Sequence, residues 1–315
     1  MQASEPISSL QGVHADLAFE KQKRLFAELR VLPSVIVALS GGADSAYLAW
    51  AAWRALGPKA LSVTAISASY SAHDREQVEL FIRSTPVQHI FIETNELADP
   101  RYTANNSERC YFCKDELFVS LNLLASERNI AAVAYGINAD DTRDFRPGHR
   151  AAREHRVLAP LLDAGLAKAE IRELSRNAGL PTWDRPASAC LSSRIPYGTQ
   201  VTIENLRQVE RGEAVLRELG FSQFRLRHHD SLARIEIAAN ELPRALDPAM
   251  AARISFGIKQ VGYTDVTLDP EGYRQGSLNV LAGLAVGTST GANRGQHNTS
   301  AGSTEPNPFD LRILE

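Results

Sequence analysis

The stretch from Val35 to Ser45, VIVALSGGADS, constrains the fold more than any other part of the chain. It opens with apolar residues rich in β-branched types, which are typical of a buried parallel strand. Ser40, Gly41 and Gly42 then predict a tight turn, and a helix is expected from Ala43 onward. Such a turn points hydroxyls and the first helical N–H groups at one place, where the helix dipole favours an anion. The stretch therefore predicts a phosphate-binding loop; the alternative is a glycine turn without a ligand.

Strand and helix patterns alternate along residues 1–185, which predicts a parallel sheet covered by helices on both faces. The strands are predicted at 35–39, 61–66, 88–93, 131–135 and 157–161, and the helices at 13–30, 44–56, 73–83, 114–128 and 168–178. Ligands of such sheets bind at the carboxyl ends of the strands. We therefore predict an α/β fold with its site in the loops Ser40–Ser45, Ser67–Ala72, Asn95–Cys113 and Gly136–Arg150.

The pattern changes after about Thr199. A helix is predicted at 202–219, paired strands at 221–228 and 231–238, a helix at 248–260 and a last strand at 265–268. We expect a smaller α+β domain at residues 186–280, attached to the first domain at 1–185. Residues 281–315 are rich in Gly, Ser, Thr, Asn and Ala, which predicts a disordered tail.

Composition excludes several classes of function. The net charge of −3 and the pI near 6.3 give no general attraction to nucleic acid or to anionic membranes. The sequence has neither an apolar run long enough to span a bilayer nor the layout of a signal peptide at its N-terminus. We therefore expect a soluble cytoplasmic protein with no nucleic-acid or membrane partner.

The chain has only three cysteines, Cys110, Cys113 and Cys190, which argues against a disulfide framework. The Cys110–Cys113 pair alone could chelate a metal or cluster edge, act as a redox dithiol, or be incidental. With Cys190 added, three thiolates could hold three irons of a 4Fe–4S cluster and leave the fourth iron open for a sulfide. Three unrelated thiols remain the alternative.

Further motifs make the pattern specific. The hexamer SGGADS resembles the PP-loop of ATP pyrophosphatases, enzymes that cut ATP between the α and β phosphates. It is followed by RCYFCK, by GINADD and by ACLSSRIPYG, in that order. Over about residues 20–270 this set resembles the LarE family. The resemblance implies a PP-loop domain with a smaller C-terminal domain.

The resemblance also implies an activity. Family members are ATP-dependent sulfurtransferases of nickel-pincer cofactor biosynthesis, whose substrate is pyridinium-3,5-biscarboxylic acid mononucleotide. One branch sacrifices the sulfur of a single cysteine at the position of Cys190, and another uses three cysteines and a 4Fe–4S cluster. Cys110 and Cys113 place the chain with the second branch. ATP, Mg²⁺, the cluster, a sulfur-delivery system and a homo-oligomer such as a hexamer are the cofactors and partners expected.

The candidate site residues fall into groups. Asp44 beside phosphates would be unfavourable unless it holds Mg²⁺, although it could simply cap its helix. Lys114 and Arg194, with Ser193 beside it, could neutralise growing negative charge. Arg225 and Arg227 share a strand face and could clamp a phosphate, or be solvated. The resemblance implies further roles. The Ser40–Ser45 loop would hold pyrophosphate, Asp141 would bind Mg²⁺, and Ser67 and Gly136 would hold adenosine. The arginine pair would face the mononucleotide phosphate, the three cysteines Cys110, Cys113 and Cys190 would hold the cluster, and residues 144–148 would form a substrate-side loop.

Other interpretations remain open at this point. Asp141, with its neighbour Asp140, could belong to a solvated loop, and Lys114 could be a solvated helix residue. Glu213 and Glu236 are weaker candidates that could be surface charges. Rival functions are a tRNA-thiolating PP-loop enzyme, an ammonia-dependent PP-loop amide ligase and an iron–sulfur carrier protein.

Overall fold

The computed structural model describes residues 7–143, 147–186, 188–274 and 313–314. Its larger sheet contains four parallel strands in the order β4-β1-β2-β3, and these confirm four of the five strands predicted for this sheet. The strands are β1 (Val35–Ala38), β2 (Ala60–Ile66), β3 (Gln88–Glu93) and β4 (Ala132–Tyr135). The predicted strand at 157–161 is wrong. It is reduced to one parallel bridge between Ala134 and Leu158, because Pro160 lacks the N–H that a ladder needs and begins a helix instead.

Helices cover both faces of this sheet. They are α1 (Ile7–Arg30), α2 (Ala43–Leu56), α3 (Ala72–Ser84), α4 (Pro100–Thr103), α5 (Arg109–Glu127), α6 (Pro147–Glu154), α7 (Pro160–Asp163) and α8 (Lys168–Asn177). Side chains of β1 alternate between two cores: Val35 and Val37 pack with α1, α2, α3 and α8, while Ile36 packs with α5 and α6. Since both faces are buried, the apolar run of β1 is explained. None of the described helices combines the length and apolarity needed to cross a bilayer.

The smaller sheet has the order β5-β6-β7. Its unit comprises α9 (Ile203–Glu218), β5 (Phe224–His229), β6 (Leu232–Ile237), α10 (Leu242–Leu246), α11 (Pro248–Gln260) and β7 (Asp265–Leu268). β5 and β6 are antiparallel, and β7 runs parallel to β6. The core of this unit extends to Tyr102 on α4 and to Leu191, with Cys113 packed against it. The two sheets are therefore joined through the segments that carry the cysteines.

The tail differs from its prediction at two residues. Most of the range 281–315 lies outside the described residues, but Ile313–Leu314 forms strand β8, antiparallel to β3. The free edge of β3 offers unpaired N–H and C=O groups, which explains how even a two-residue segment can add there. The predicted substrate-side loop at 144–148 likewise lies mostly outside the described residues.

Candidate active site

The turn after β1 is closed by its own hydroxyl groups. The N–H of Ser40 donates to Oγ of Ser45 at 3.2 Å, and that Oγ donates to the carbonyl of Gly42 at 3.1 Å. Gly41 has a φ of +83°, and a Cβ there would lie 2.9 Å from Nη1 of Arg185. Glycine is thus required both by the backbone conformation and by the space. The loop is preorganised around the start of α2, as an anion site requires.

Gly136 has a different reason to be glycine. A Cβ at this position would lie 2.7 Å from the backbone N and 2.8 Å from the Cα of Ser45. The end of β4 therefore passes directly against the first turn of α2, and any side chain would push the loop aside. The contact with adenosine suggested for Gly136 stays a prediction.

Asp44 has one engaged oxygen and one free one. Its Oδ2 accepts from Nζ of Lys168 at 2.5 Å and from Nδ2 of Asn138 at 3.2 Å. Its Oδ1 is buried and has no hydrogen-bond partner among the described residues. Burial raises the pKa of Asp44. The positive charge of Lys168 lowers this pKa in part, and the negative charge of Asp141 raises it further. A buried, unsatisfied carboxylate oxygen with a second carboxylate nearby fits a divalent cation such as Mg²⁺.

Asn138 fixes the turn that follows β4. Its Oδ1 accepts the N–H groups of Asp140 at 2.9 Å and Asp141 at 3.3 Å, and its own N–H donates to Oδ2 of Asp141. The N–H of Lys168 donates to Oδ2 of Asp140 at 2.8 Å. The two carboxylates that sequence reasoning selected, Asp44 and Asp141, are thereby brought to the same end of the sheet.

Ser67 holds a buried carboxylate. Its Oγ donates to Oε1 of Glu96 at 2.6 Å, and Oγ of Ser69 donates to the same oxygen at 2.5 Å. The carbonyl of Ser69 accepts the N–H of Leu191 at 2.9 Å, which ties the segment after Cys190 to the end of β2. The predicted contact of Ser67 with adenosine is not tested by this arrangement.

The three thiols lie in one region of the molecule. Cys110 and Cys113 occupy the first turns of α5, so the expectation that they lie in a loop is wrong; the helix begins five residues earlier than predicted. Cys110 is exposed, whereas Cys113 and Cys190 are partly buried. Burial raises the pKa of Cys113 well above its ordinary value, and charges on Glu96, Cys190 and Cys110 add to this. Among the described residues, no group of three or more His, Cys, Asp or Glu side chains is arranged closely enough to hold a metal ion.

Asn105 and Arg109 attach the Cys190 segment to the loop before α5. Nη1 of Arg109 donates to Oδ1 of Asn105 at 2.5 Å and to the carbonyl of Ser192 at 2.8 Å. Nδ2 of Asn105 donates to the carbonyls of Pro196 and Thr199, both at 2.7 Å. Burial lowers the pKa of Arg109, but the charges of Cys190 and Cys110 outweigh it and raise the pKa. A buried cation thus stands beside two of the thiols.

Arg194 braces the backbone at Cys190. Its Nε and Nη2 donate to the two carboxylate oxygens of Glu213 at 2.8 and 3.0 Å. Its Nη1 donates to the carbonyls of Ala189 and Cys190 and to Oγ of Ser193. The interpretation of Glu213 as a surface charge is wrong: it is 5% exposed, because Arg194 neutralises it in the interior. The predicted role of Arg194 and Ser193 in neutralising substrate charge stays a prediction.

Arg227 contacts the same segment, and Arg225 interacts electrostatically with Arg194. Nη1 of Arg227 donates to the carbonyl of Ser193 at 2.9 Å, and Nη2 donates to Oε2 of Glu236 at 2.8 Å. Burial lowers the pKa of Arg225, and the nearby cations Arg194 and Arg227 lower it further. Arg227 and Glu236 are almost fully buried. The alternative interpretations, a solvated strand face for the arginine pair and a surface charge for Glu236, are therefore both wrong. Since Glu213 and Glu236 already neutralise Arg194 and Arg227, the phosphate contact expected of Arg225 and Arg227 stays a prediction.

Known proteins identify the family of the chain. It is 33% identical over 264 residues to the pyridinium-3,5-bisthiocarboxylic acid mononucleotide synthase of Lactiplantibacillus plantarum, which covers 82% of this chain and 94% of that protein. The chain belongs to the LarE family. It is also 40% identical over 260 residues, 82% of this chain and 96% of the relative, to the uncharacterised protein slr1717 of Synechocystis. An uncharacterised Methanocaldococcus jannaschii protein, MJ0830, is 31% identical over 54% of this chain and 66% of its own. No family model matches the chain.

Sequence reasoning missed four residues that contact the candidate site residues or their segments. The hydroxyl of Tyr102 lies 2.5 Å from Oγ of Ser192, Lys168 pairs with Asp44, and Arg185 joins the carbonyl of Gly41 to Asp74. Lys168 carried a usable signal, because a lysine at the first position of a helix opposes the helix dipole and implies a local anion. Arg185 and Asp74 carried none, since 111 residues separate them. The Nζ atom of Lys114, a predicted site residue, lies 6.0 Å from the ring centroid of Phe118, and the role of this lysine stays a prediction.

Glu116, three residues after Cys113 on α5, gives the stability of the fold a pH dependence. Burial raises its pKa to about 7, although its carboxylate accepts the N–H of Asn95 at 2.6 Å. Because the folded pKa exceeds the unfolded value, the protonated form stabilises the fold, and this contribution is lost as pH rises from about 4.5 to about 7. We expect Glu116→Gln to match wild type at pH 4 and to raise the free energy of unfolding by about 1–2 kcal/mol at pH 8. Urea unfolding at both pH values measures this; an equal effect at both would contradict it.

Proposed function

We propose that the chain is an ATP-dependent sulfurtransferase that converts carboxylates of pyridinium-3,5-biscarboxylic acid mononucleotide into thiocarboxylates, for nickel-pincer cofactor biosynthesis. One observation carries this proposal: polar contacts connect the Ser40–Ser45 loop to the segment that bears Cys190, through Arg185, Asp74 and Ser188. The 33% identity to the synthase, over most of both chains, supports the substrate.

The first half of the proposed reaction is adenylation. A substrate carboxylate attacks the α phosphorus of ATP, the bond to the β phosphate breaks, and pyrophosphate leaves into the Ser40–Ser45 loop. Asp44 and Asp141 would hold Mg²⁺, which when bound neutralises phosphate charge. The backbone N–H groups at the start of α2 orient the pyrophosphate. Arg225 and Arg227 would hold the phosphate of the mononucleotide, and Lys114 would add positive charge.

The second half transfers sulfur to the activated acyl group, with AMP as the leaving group. The three-thiol donor set fits a 4Fe–4S cluster, which Cys110, Cys113 and Cys190 would hold and which would supply a nucleophilic sulfide. Arg109 keeps positive charge beside the thiols, and Arg194 and Ser193 hold the backbone at Cys190 in place. A sulfur-delivery system restores what is donated. Assembly as a homo-oligomer, such as the hexamer, is part of the proposal.

A pyrophosphate-release assay tests the first half. The wild-type protein should release pyrophosphate from ATP and Mg²⁺ when the biscarboxylate mononucleotide is added, and tRNA should not replace it. We expect Asp44→Asn to lower this rate at least about 100-fold, because the buried ligand for the metal is lost. Asp140→Asn is the control, since Asp140 lies next to Asp141 in the turn after β4 but its Oδ2 accepts the N–H of Lys168. No release with the mononucleotide, or release that only tRNA elicits, would overturn the proposal.

A further inference from the structure

We propose that Arg185 binds the phosphate chain held in the Ser40–Ser45 loop and, through Asp74, sets the position of the Cys190 segment. Cleavage of ATP would thereby be coupled to the position and accessibility of Cys190. The inference rests on the proposed function and adds a residue that the sequence motifs do not contain.

Arg185 lies directly against the loop. Its Nη1 donates to the carbonyl of Gly41 at 2.5 Å, and its Nη2 pairs with Oδ1 of Asp74. The side chains of Arg185 and Asp74 are only 9% and 10% exposed. Nη2 of Arg172 donates to the backbone carbonyl of Arg185 at 2.6 Å, which fixes the backbone from the other side. A buried guanidinium beside a phosphate loop is the group best suited to bind a pyrophosphate oxygen pair.

Asp74 connects this guanidinium to the sulfur-bearing segment. The same Oδ1 that pairs with Arg185 accepts Oγ of Ser188 at 2.9 Å, and Ser188 precedes Cys190 by two residues. Oδ2 of Asp74 accepts Oγ of Ser71 at 2.7 Å, and that Oγ caps the first turn of α3. The loop, Arg185, Asp74 and Ser188 thus form one continuous chain of polar contacts.

The chemistry gives the coupling a direction. Arg185 now shares its charge between Asp74 and the Gly41 carbonyl. A bound pyrophosphate carries far more negative charge than that carbonyl, so it draws the guanidinium toward the loop and weakens the contact with Asp74. Ser188 then loses part of its anchor. We therefore expect Cys190 to become more accessible when pyrophosphate is bound, at the stage when an acyl-adenylate awaits sulfur.

The test uses the full chain in reduced, iron-free form. Alkylation of Cys190 by iodoacetamide is quantified by peptide mass spectrometry, with and without Mg²⁺-pyrophosphate, and calorimetry measures pyrophosphate affinity on the same samples. We expect pyrophosphate to accelerate alkylation of Cys190 at least about fivefold in wild type, the lower end of ordinary site-to-site coupling. Ser188→Ala should bind pyrophosphate normally but show no acceleration.

Arg185→Lys keeps the charge without the planar fork, so it should fold, bind pyrophosphate about tenfold more weakly and lose the acceleration. Arg176→Lys, an exposed arginine on α8 that lies over Trp183, is the matched control and should behave as wild type. Unchanged pyrophosphate affinity in Arg185→Lys, or full acceleration in Ser188→Ala, overturns the inference alone. Absence of pyrophosphate binding in wild type overturns the proposed function as well.

Discussion

Replacing Cys110 with alanine should leave ATP cleavage intact and abolish repeated sulfur transfer. The side chain is exposed at the start of α5, so its loss should not disturb the fold. If the three thiols share a cluster, removing one ligand lowers the iron content from about four per chain to near zero. We expect thiocarboxylate formation to fall at least about 100-fold, while pyrophosphate release changes less than about threefold. Anaerobic iron and sulfide analysis, with mass spectrometry of the product, measures both effects.

Two comparisons make this result interpretable. Ser107→Ala, three residues before Cys110 in the turn that precedes α5, changes a similar volume without removing a thiol and should keep both iron and turnover. Cys190→Ala should lose iron and product together, like Cys110→Ala. If Cys110→Ala instead keeps forming one thiocarboxylate per chain while Cys190 becomes dehydroalanine, then Cys190 is consumed and the cluster hypothesis fails.

The parts of the fold that could be predicted from sequence are those set by neighbouring residues. The strand–turn–helix unit at 35–56 depends on an apolar run, two glycines and a helical pattern, all contiguous. The prediction of a strand at 157–161 was wrong because it weighted the apolar pattern above Pro160. This proline begins a helix and leaves only the single bridge at Leu158. The helix start at α5 was placed late because Cys110, Tyr111 and Phe112 have modest helix propensity, and packing decided otherwise.

The parts that could not be predicted depend on partners far apart in the chain. Lys168 meets Asp44 across 124 residues, and Arg109 meets Ser192 across 83. Sequence reasoning held Glu213 and Glu236 only as weak candidates and left open that they are surface charges, since isolated acidic residues on helices and strands are mostly exposed. Their burial is possible only because Arg194 and Arg227 reach them from other segments. Sequence motifs therefore supply the candidate site residues, and the structure adds the residues that hold those candidates in place.

Breaking the buried pair between Arg194 and Glu213 should greatly lower the stability of the fold. Their side chains are 4% and 6% exposed, and Oε1 of Glu213 also accepts the N–H of Leu226 at 3.3 Å. Glu213→Gln leaves the guanidinium buried without a counter-charge, so the free energy of unfolding should fall by about 3–5 kcal/mol. Urea unfolding measures this. Glu79→Gln, which removes an exposed carboxylate paired with Arg75 on α3, should cost less than about 1 kcal/mol.

A double variant separates the charge from the bracing contact. Arg194→Met combined with Glu213→Leu removes both charges and fills a similar volume, so it should recover most of the stability lost in Glu213→Gln. It should not recover sulfur transfer, because the carbonyls of Ala189 and Cys190 and Oγ of Ser193 lose the donor that holds them. Pyrophosphate release should be restored along with the fold. If the double variant regains thiocarboxylate formation at the wild-type rate, Arg194 serves stability alone and does not position Cys190.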